Sequence, residues 1–166
     1  EKGNAASMTT SNGSGSGCFV PGTGIMLNNM MGEDDLHPEG FFTASIGERV
    51  SSMMTPTIVM KNGRVETALG SGGSKRIRTA ILQVIINLID FQYPLKEAIE
   101  APRIHYEDGL IQAEPDSYGE VLEILKRHYT VNVWASRNMY FGGVHAVRTG
   151  ADGWGDRRRD GNVLNY

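Results

Sequence analysis

The stretch that constrains this chain most runs from Thr55 to Ile89, "TPTIVMKNGRVETALGSGGSKRIRTAILQVIINLI". Two β-prone runs flank Asn62-Gly63, the pair that most readily takes the left-handed backbone of a two-residue hairpin turn. The second run leads without a break into "LGSGGSKRIRT" (Leu69–Thr79) and then into an apolar-periodic segment. Ile77, Ile81, Val84, Ile85 and Leu88 recur at helical spacing, while Arg78, Gln83 and Asn87 take other faces. A hairpin joined directly to such a helix calls for a sheet that the helix can cover.

The remaining segments fit that plan. "PLKEAIEA" (Pro94–Ala101) predicts a short helix opened by Pro94 and stopped by Pro102. "GLIQAE" predicts a strand, and Ser117–Tyr129 an amphipathic helix with Ser117 as cap and Glu120 three residues on. "TVNVWA" and "GGVHAVRT" predict two further strands. In "APRIH" (Ala101–His105) a helix ends, with Arg103 placed to tie down carbonyls or an acid. At the front, Asn4–Thr10 reads as extended, Asn12–Gly24 as an ordered glycine-rich loop, and "VPGTGIMLNN" as a Pro-Gly turn followed by an apolar strand. Gly32–Arg49 is a long polar excursion. The order β, ββ, αα, β, α, ββ indicates an α+β chain, and 166 residues suit one domain, residues 1–166, with a real core.

Composition excludes several classes. A net charge of −3 invites neither nucleic acid nor an acidic membrane surface. The one basic run, Arg157-Arg158-Arg159, is flanked by Asp156 and Asp160 and reads as a solvated tail. A single cysteine, Cys18, leaves no internal disulfide and no cysteine zinc site. The apolar run Ala80–Ile89 is too short to span a bilayer. The chain opens at Glu1 without Met, mid-pattern, so a periplasmic, secreted or cytoplasmic location stays open.

Chemistry concentrates in a few places. Gly70-Ser71-Gly72-Gly73-Ser74-Lys75 fails the spacing of a phosphate-binding P-loop and of a dinucleotide fingerprint. What remains is a glycine pair, Gly72-Gly73, whose backbone amides at a helix start could stabilise a transient oxyanion. On residue physics alone a tight strand-to-helix turn is the simpler account. Ser51-Ser52 either bonds local backbone or donates to a substrate carboxylate. Asn28, Asn29, Glu33, Asp34 and Asp35 are either a solvated acidic run or a receptor for a substrate ammonium. Serines and glycines at one end with acids at the other would suit an amino acid. Met30, Met31, Met53 and Met54 read as adaptable packing. The histidines show no metal-ligand spacing: His37 sits near acids, and His105, His128 and His145 are isolated.

Taken together, "GNAASMTTSNGSGSG", "VPGTGIMLNNMM", "RVSSMMTPTIVMKNG", "LGSGGSKRIRTAILQVIINLIDF", "EAIEAPRIH" and "FGGVHAV" resemble, in order and spacing, the small subunit of the γ-glutamyltranspeptidases (glutathione hydrolases). The resemblance spans nearly the whole chain. It implies the N-terminal-nucleophile (Ntn) hydrolase fold, a four-layer αββα sandwich. It also implies a precursor that cleaves itself, so that a new N-terminal threonine attacks the γ-glutamyl amide. That threonine lies upstream of Glu1 in the family, so this chain by itself would be catalytically incomplete. By the same resemblance Gly72 and Gly73 match the oxyanion-hole glycines, and Ser51 and Ser52 the serines that hold the glutamyl α-carboxylate. Asn12 and Glu33 match groups that meet the substrate ammonium, and Ser11 replaces a threonine that bonds the nucleophile. Met30 stands where the family carries Gln or Glu, which removes one ammonium acceptor and tilts the reading toward a different acyl group. Cephalosporin (glutaryl) acylases of the same fold are therefore the second reading, and an inactive homologue serving as a binding module the third. No metal or organic cofactor is implied. The upstream polypeptide, the large subunit, is implied as partner, contributing an arginine for the α-carboxylate. Without it the chain is expected to expose apolar surface and self-associate.

Overall fold

The computed structural model describes residues 3–117, 119–150 and 152–164. Its contacts divide the chain into two compact units, one of residues 1–9 and 54–166 and the other of residues 10–53.

The first unit holds all the regular structure of length. The hairpin forms as β1 (Thr57–Lys61) and β2 (Arg64–Gly72), with Asn62 and Gly63 both at positive φ as that turn requires. A register shift between Val59 and Met60 bulges the pair near its turn. Then follow α1 (Arg76–Ile89), α2 (Leu95–Glu100), β3 (Ile104–Glu107), β4 (Leu110–Ala113), α3 (Gly119–Lys126) and β5 (Thr130–Val133). β6 (Gly143–Arg148) and β7 (Asp152–Trp154) close the described chain, ahead of a turn of 3-10 helix at Arg157–Arg159. Four strands make an antiparallel sheet in the order β1-β2-β6-β7, and β3-β4-β5 make a second sheet in which β4 and β5 run parallel.

Periodicity dictates the core. Ile77, Ala80, Ile81, Val84 and Leu88 form the buried stripe of α1. They pack with Leu95, Ala98 and Ile99 of α2 against Leu69 of β2 and Val144 and Ala146 of β6. At about 25 cal/mol per Å² of apolar area removed from water, such a cluster is the main force that holds helices to the sheet. Asn87 donates to Ala98 O and Gln83 bonds both Thr79 O and Ile104, so the polar residues of α1 stitch the helix to its neighbours.

Several expectations need correction. "VPGTGIMLNN" forms no strand and contributes only to the isolated bridge Phe19↔Met26, because Gly22 and Gly24 take positive φ within it. β3 was not foreseen, since four residues starting two after Pro102 show no alternation to read. The Ser117 hydroxyl donates back to Glu114 O.

The largest correction concerns Arg157-Arg158-Arg159, which is no solvated tail. The Arg158 side chain is 1% exposed and binds Glu114 at 2.6 Å and Asp156 at 3.2 Å. Arg103, 2% exposed, binds the same Asp156 at 2.6 Å and donates to Ile99 O and Phe141 O, as foreseen for it. Asp156 also accepts from the Val144 amide, and Glu114 from the Arg103 amide. Two guanidiniums and two carboxylates thus join α2, β4, β6 and the C-terminal turn without an unpaired charge.

The second unit is built differently. Only Leu36 and His37 are buried in it, and its regular structure is two 3-10 turns, Met30–Gly32 and Asp34–Leu36. Side chains and main-chain turns hold its shape: Ser16 donates to Leu27 O, Leu27 donates to Cys18 O, and His37 Nε2 lies 3.3 Å from Met30 O. No helix among the described residues is long and apolar enough to cross a membrane.

Candidate active site

β2 ends in the glycine pair, and the reason for glycine is local. Gly73 has φ +132, and a Cβ there would stand 3.1 Å from Gly142 Cα. Opposite it in the sheet, Gly72 pairs with Gly143. The buried Ser71 hydroxyl sits between the two strands: the Gly143 amide donates to Ser71 Oγ at 3.1 Å, and Ser71 Oγ donates to Gly72 O at 3.1 Å. Gly142, at φ +80, leaves room for that hydroxyl, since a Cβ would come within 2.9 Å of it. The chain then turns into α1, with Arg76 N bonded to Gly73 O and Ile77 N to Ser74 O. Among the described residues the Gly73 amide donates to no carbonyl of a turn or loop. A glycine amide left open at the start of a 14-residue helix is suited to bind negative charge.

The flank of this turn carries a chain of titratable groups. Lys75 Nζ binds Glu107 at 2.8 Å, Glu107 lies 3.5 Å from His105 Nε2, and His105 Nδ1 is 2.9 Å from Thr79 Oγ1. The hydrogen bond from Lys75 holds the Glu107 carboxyl below its ordinary range against the opposing effect of burial. Burial pushes the His105 imidazole below the usual histidine value, more than Glu107 raises it. His105 is thus a buried residue bonded through Nδ1 to Thr79, with Nε2 buried and left to a 3.5 Å approach of Glu107.

The second unit gathers another part of the predicted site. The Ser11 hydroxyl accepts from the Gly13 amide at 3.1 Å, and Asn12 O accepts from the Gly15 and Asn29 amides. Asn29 Oδ1 accepts from the Ser14 amide at 2.7 Å. Gly13, at φ +60, is where Asn29 and Glu33 converge: a Cβ there would meet Asn29 Oδ1 and stand 2.5 Å from Glu33 Oε1. Ser11, Asn12 and Glu33 therefore share one loop cluster. A carboxylate beside amide oxygens is a natural acceptor set for an ammonium. Met30 lies in the 3-10 turn just before Glu33, its amide bonded to Asn28 Oδ1. Ser51 and Ser52 are exposed in irregular backbone at the end of this unit. Gly72 and Gly73 belong to the first unit.

A family model for gamma-glutamyltranspeptidase matches residues 1–166. The chain belongs to the γ-glutamyltranspeptidase family. It is similar to the Acylase ACY 1 proenzyme of Pseudomonas sp. (strain SE83), 38% identical over 156 residues that make up 91% of this chain and 27% of that protein. It is also 38% identical over 103 residues to the glutathione hydrolase proenzyme of Pseudomonas aeruginosa, covering 56% of this chain and 18% of that protein. Among solved structures, gamma-glutamyltranspeptidase from Pseudomonas nitroreducens, complexed with L-DON, superimposes with a TM-score of 0.82 at 31% identity. That match covers 99% of this chain and 94% of the other. The chain thus has the Ntn-hydrolase fold of the transpeptidases, as expected, while spanning about a quarter or less of the length of the curated relatives.

Residue reading overlooked three features beside the glycine turn: the Ser71 hydroxyl, the Gly142–Gly143 pair as space for it, and Arg159, whose side chain lies against Gly72, Gly73 and Gly143. The "FGGVH" segment carried a signal, since adjacent glycines entering a strand mark a close backbone approach. Arg159 carried none, because its partners lie far away in sequence.

Proposed function

We propose that the protein containing this chain is an amide hydrolase and acyl transferase for γ-glutamyl compounds such as glutathione. Gly72 and Gly73 supply the oxyanion donors. The observation that carries the reading is the open Gly73 amide at positive φ, in a turn spaced by Ser71 and backed by Gly142. In the reaction, the hydroxyl oxygen of a threonine upstream of Glu1 bonds to the γ-carbonyl carbon, and its own α-amine takes the hydroxyl proton. The carbonyl π pair moves onto oxygen and is held by the two amides. It returns as the C–N bond breaks, and the leaving amine takes the proton. Water, or the amine of an amino acid or peptide, then takes the acyl group from the threonine ester. Ser51 and Ser52 hold the substrate α-carboxylate, Glu33 and Asn12 its ammonium, and Ser11 bonds the nucleophile.

The upstream polypeptide of the same precursor completes the site as a large subunit. Exposed apolar side chains in the second unit, Phe19, Ile25, Phe42 and Ile46 among them, support a surface that needs a partner. The solved transpeptidase chain it matches is of nearly the same extent, and the curated relatives are named proenzymes.

Met30 favours a second reading within the same fold. A thioether is a weak acceptor and carries no charge, so an acyl group without an ammonium would lose little there. The acylase proenzyme that is 38% identical over most of the chain points the same way. Assays of the full precursor on a γ-glutamyl anilide and a glutaryl amide separate the two. Turnover of the anilide supports the first reading, and turnover of the glutaryl amide alone replaces it with the second. Turnover of neither by a cleaved precursor refutes both and leaves a binding module.

A further inference from the structure

Arg103, Arg158 and Arg159 are buried or half-buried arginines of the first unit, and one differs from the others. Arg103 and Arg158 are each closed by carboxylates. Arg159 is not: among the described residues its side chain makes one hydrogen bond, from Nη2 to Met139 O at 3.3 Å. Its Nε is buried without a partner, and no carboxylate of the described residues lies at ion-pair distance from it. Its position is fixed by glycines. The aliphatic stem lies on Gly143, where a Cβ would come within 2.6–2.8 Å of Arg159 Cδ, Cγ and Cβ. The guanidinium then lies across the glycine pair. From the Cβ position of Gly72, Nη1, Cζ and Nε are 3.5, 3.6 and 3.7 Å away, and from that of Gly73, Nη2 is 3.5 Å away. The 3-10 turn that presents it is anchored by the Asp156 side chain, which accepts from the Arg158 amide.

A half-buried guanidinium with its Nε buried and no carboxylate beside it stabilises an anion that comes within a few ångströms. We infer that Arg159 supplies the standing positive charge for the oxyanion formed at the Gly72–Gly73 turn. It acts through the field it sets across that peptide and does not touch the substrate. This role rests on the reading of the turn given above. Two amide dipoles alone bind a localised negative charge, and a full cation a few ångströms away deepens the same potential. Neutral substrate carbonyls gain little from it, so its effect belongs to turnover and not to binding.

The test uses the full precursor, cleaved and with its upstream polypeptide in place, and compares Arg159→Gln and Arg159→Lys at equal amounts of cleaved chain. Substrate is a γ-glutamyl anilide. The probe for the anionic state is a glutamate analogue with a boronic acid in place of the γ-amide, whose adduct is tetrahedral and negative. For Arg159→Gln, kcat should fall about 10–100-fold with KM within about three-fold, and boronate affinity should fall by the same factor as kcat. For Arg159→Lys, which keeps the charge on a shorter reach, both should fall only about 3–10-fold.

Native kcat and boronate affinity in Arg159→Gln would overturn the role. So would a loss in Arg159→Lys as deep as in Arg159→Gln, which would make shape rather than charge the active property. If Arg159→Gln is not cleaved, Arg159→Lys decides alone: weakened boronate binding at unchanged KM supports the role, and native boronate binding ends it. Gly73→Val separates this failure from failure of the turn itself. If Gly73→Val collapses turnover while both Arg159 variants stay native, only Arg159 loses its role; if Gly73→Val is also native, the oxyanion site lies elsewhere.

Discussion

The two compact units solve the problem of holding functional groups still in opposite ways. The first unit fixes its glycine turn by burial: an apolar cluster clamps α1 to the sheet, and a closed set of ion pairs clamps the C-terminal turn behind it. The second fixes Ser11, Asn12 and Glu33 with hydrogen bonds and glycine conformations, and buries only Leu36 and His37. The lesson is that the first unit's site geometry is coupled to global stability, whereas the second's depends on local turns and on whatever covers its apolar side chains.

That contrast can be broken by substitution. The largest effect is expected at Arg158→Ala, which strands Glu114 as a buried unpaired carboxylate and leaves Asp156 with Arg103 alone; it should cost about 3–5 kcal/mol in chemical denaturation of the cleaved enzyme. Ile99→Ala, at a position 0% exposed, should follow at about 2–5 kcal/mol in the same measurement. In the second unit the pattern reverses. Glu33→Ala should raise KM for a γ-glutamyl anilide by about ten-fold or more, the loss of a charged hydrogen bond, while stability changes by less than about 0.5 kcal/mol. A large loss of stability at Glu33, or none at Arg158, would erase the distinction.

Acid sharpens it further. Burial alone would raise Asp156, but Arg103 and Arg158 together hold its carboxyl below the usual range. His105 is pushed below the usual histidine value by burial. For both groups the unfolded chain takes up its proton first, so their contribution is present at neutral pH and is lost as pH falls. Stability should begin to decline below about pH 6.5 as His105 would protonate in the unfolded chain, and fall further below about pH 4 through Asp156. Thermal melts across that range check this, and a flat profile would contradict it. The smallest effect should be at Thr43→Ala on an exposed loop of the second unit, within about 0.5 kcal/mol.

Sequence legibility follows the same division. The hairpin at Asn62-Gly63 and the stripe of α1 were readable because both are local patterns with a fixed period. Arg103 was readable as an anchor because its proline-ended helix offers carbonyls close by in sequence. Arg158 was not, because its acid partner Glu114 lies 44 residues away and the flanking aspartates mimic a solvated run. The apolar run after Pro21 looks like a strand, yet glycines in left-handed backbone break it, and no periodicity reports that. The proposed site residues were found through resemblance to a family. From the residues alone, the Gly72–Gly73 loop was a turn first and an anion site second.

The central claim is that the amides of Gly72 and Gly73 hold the oxyanion. Its most direct test is the steady-state kinetics of cleaved Gly73→Val enzyme on a γ-glutamyl anilide. The account predicts a fall in kcat of about 10²–10³-fold with KM little changed, as for other lost oxyanion donors. A native kcat in a folded, cleaved Gly73→Val enzyme would contradict it.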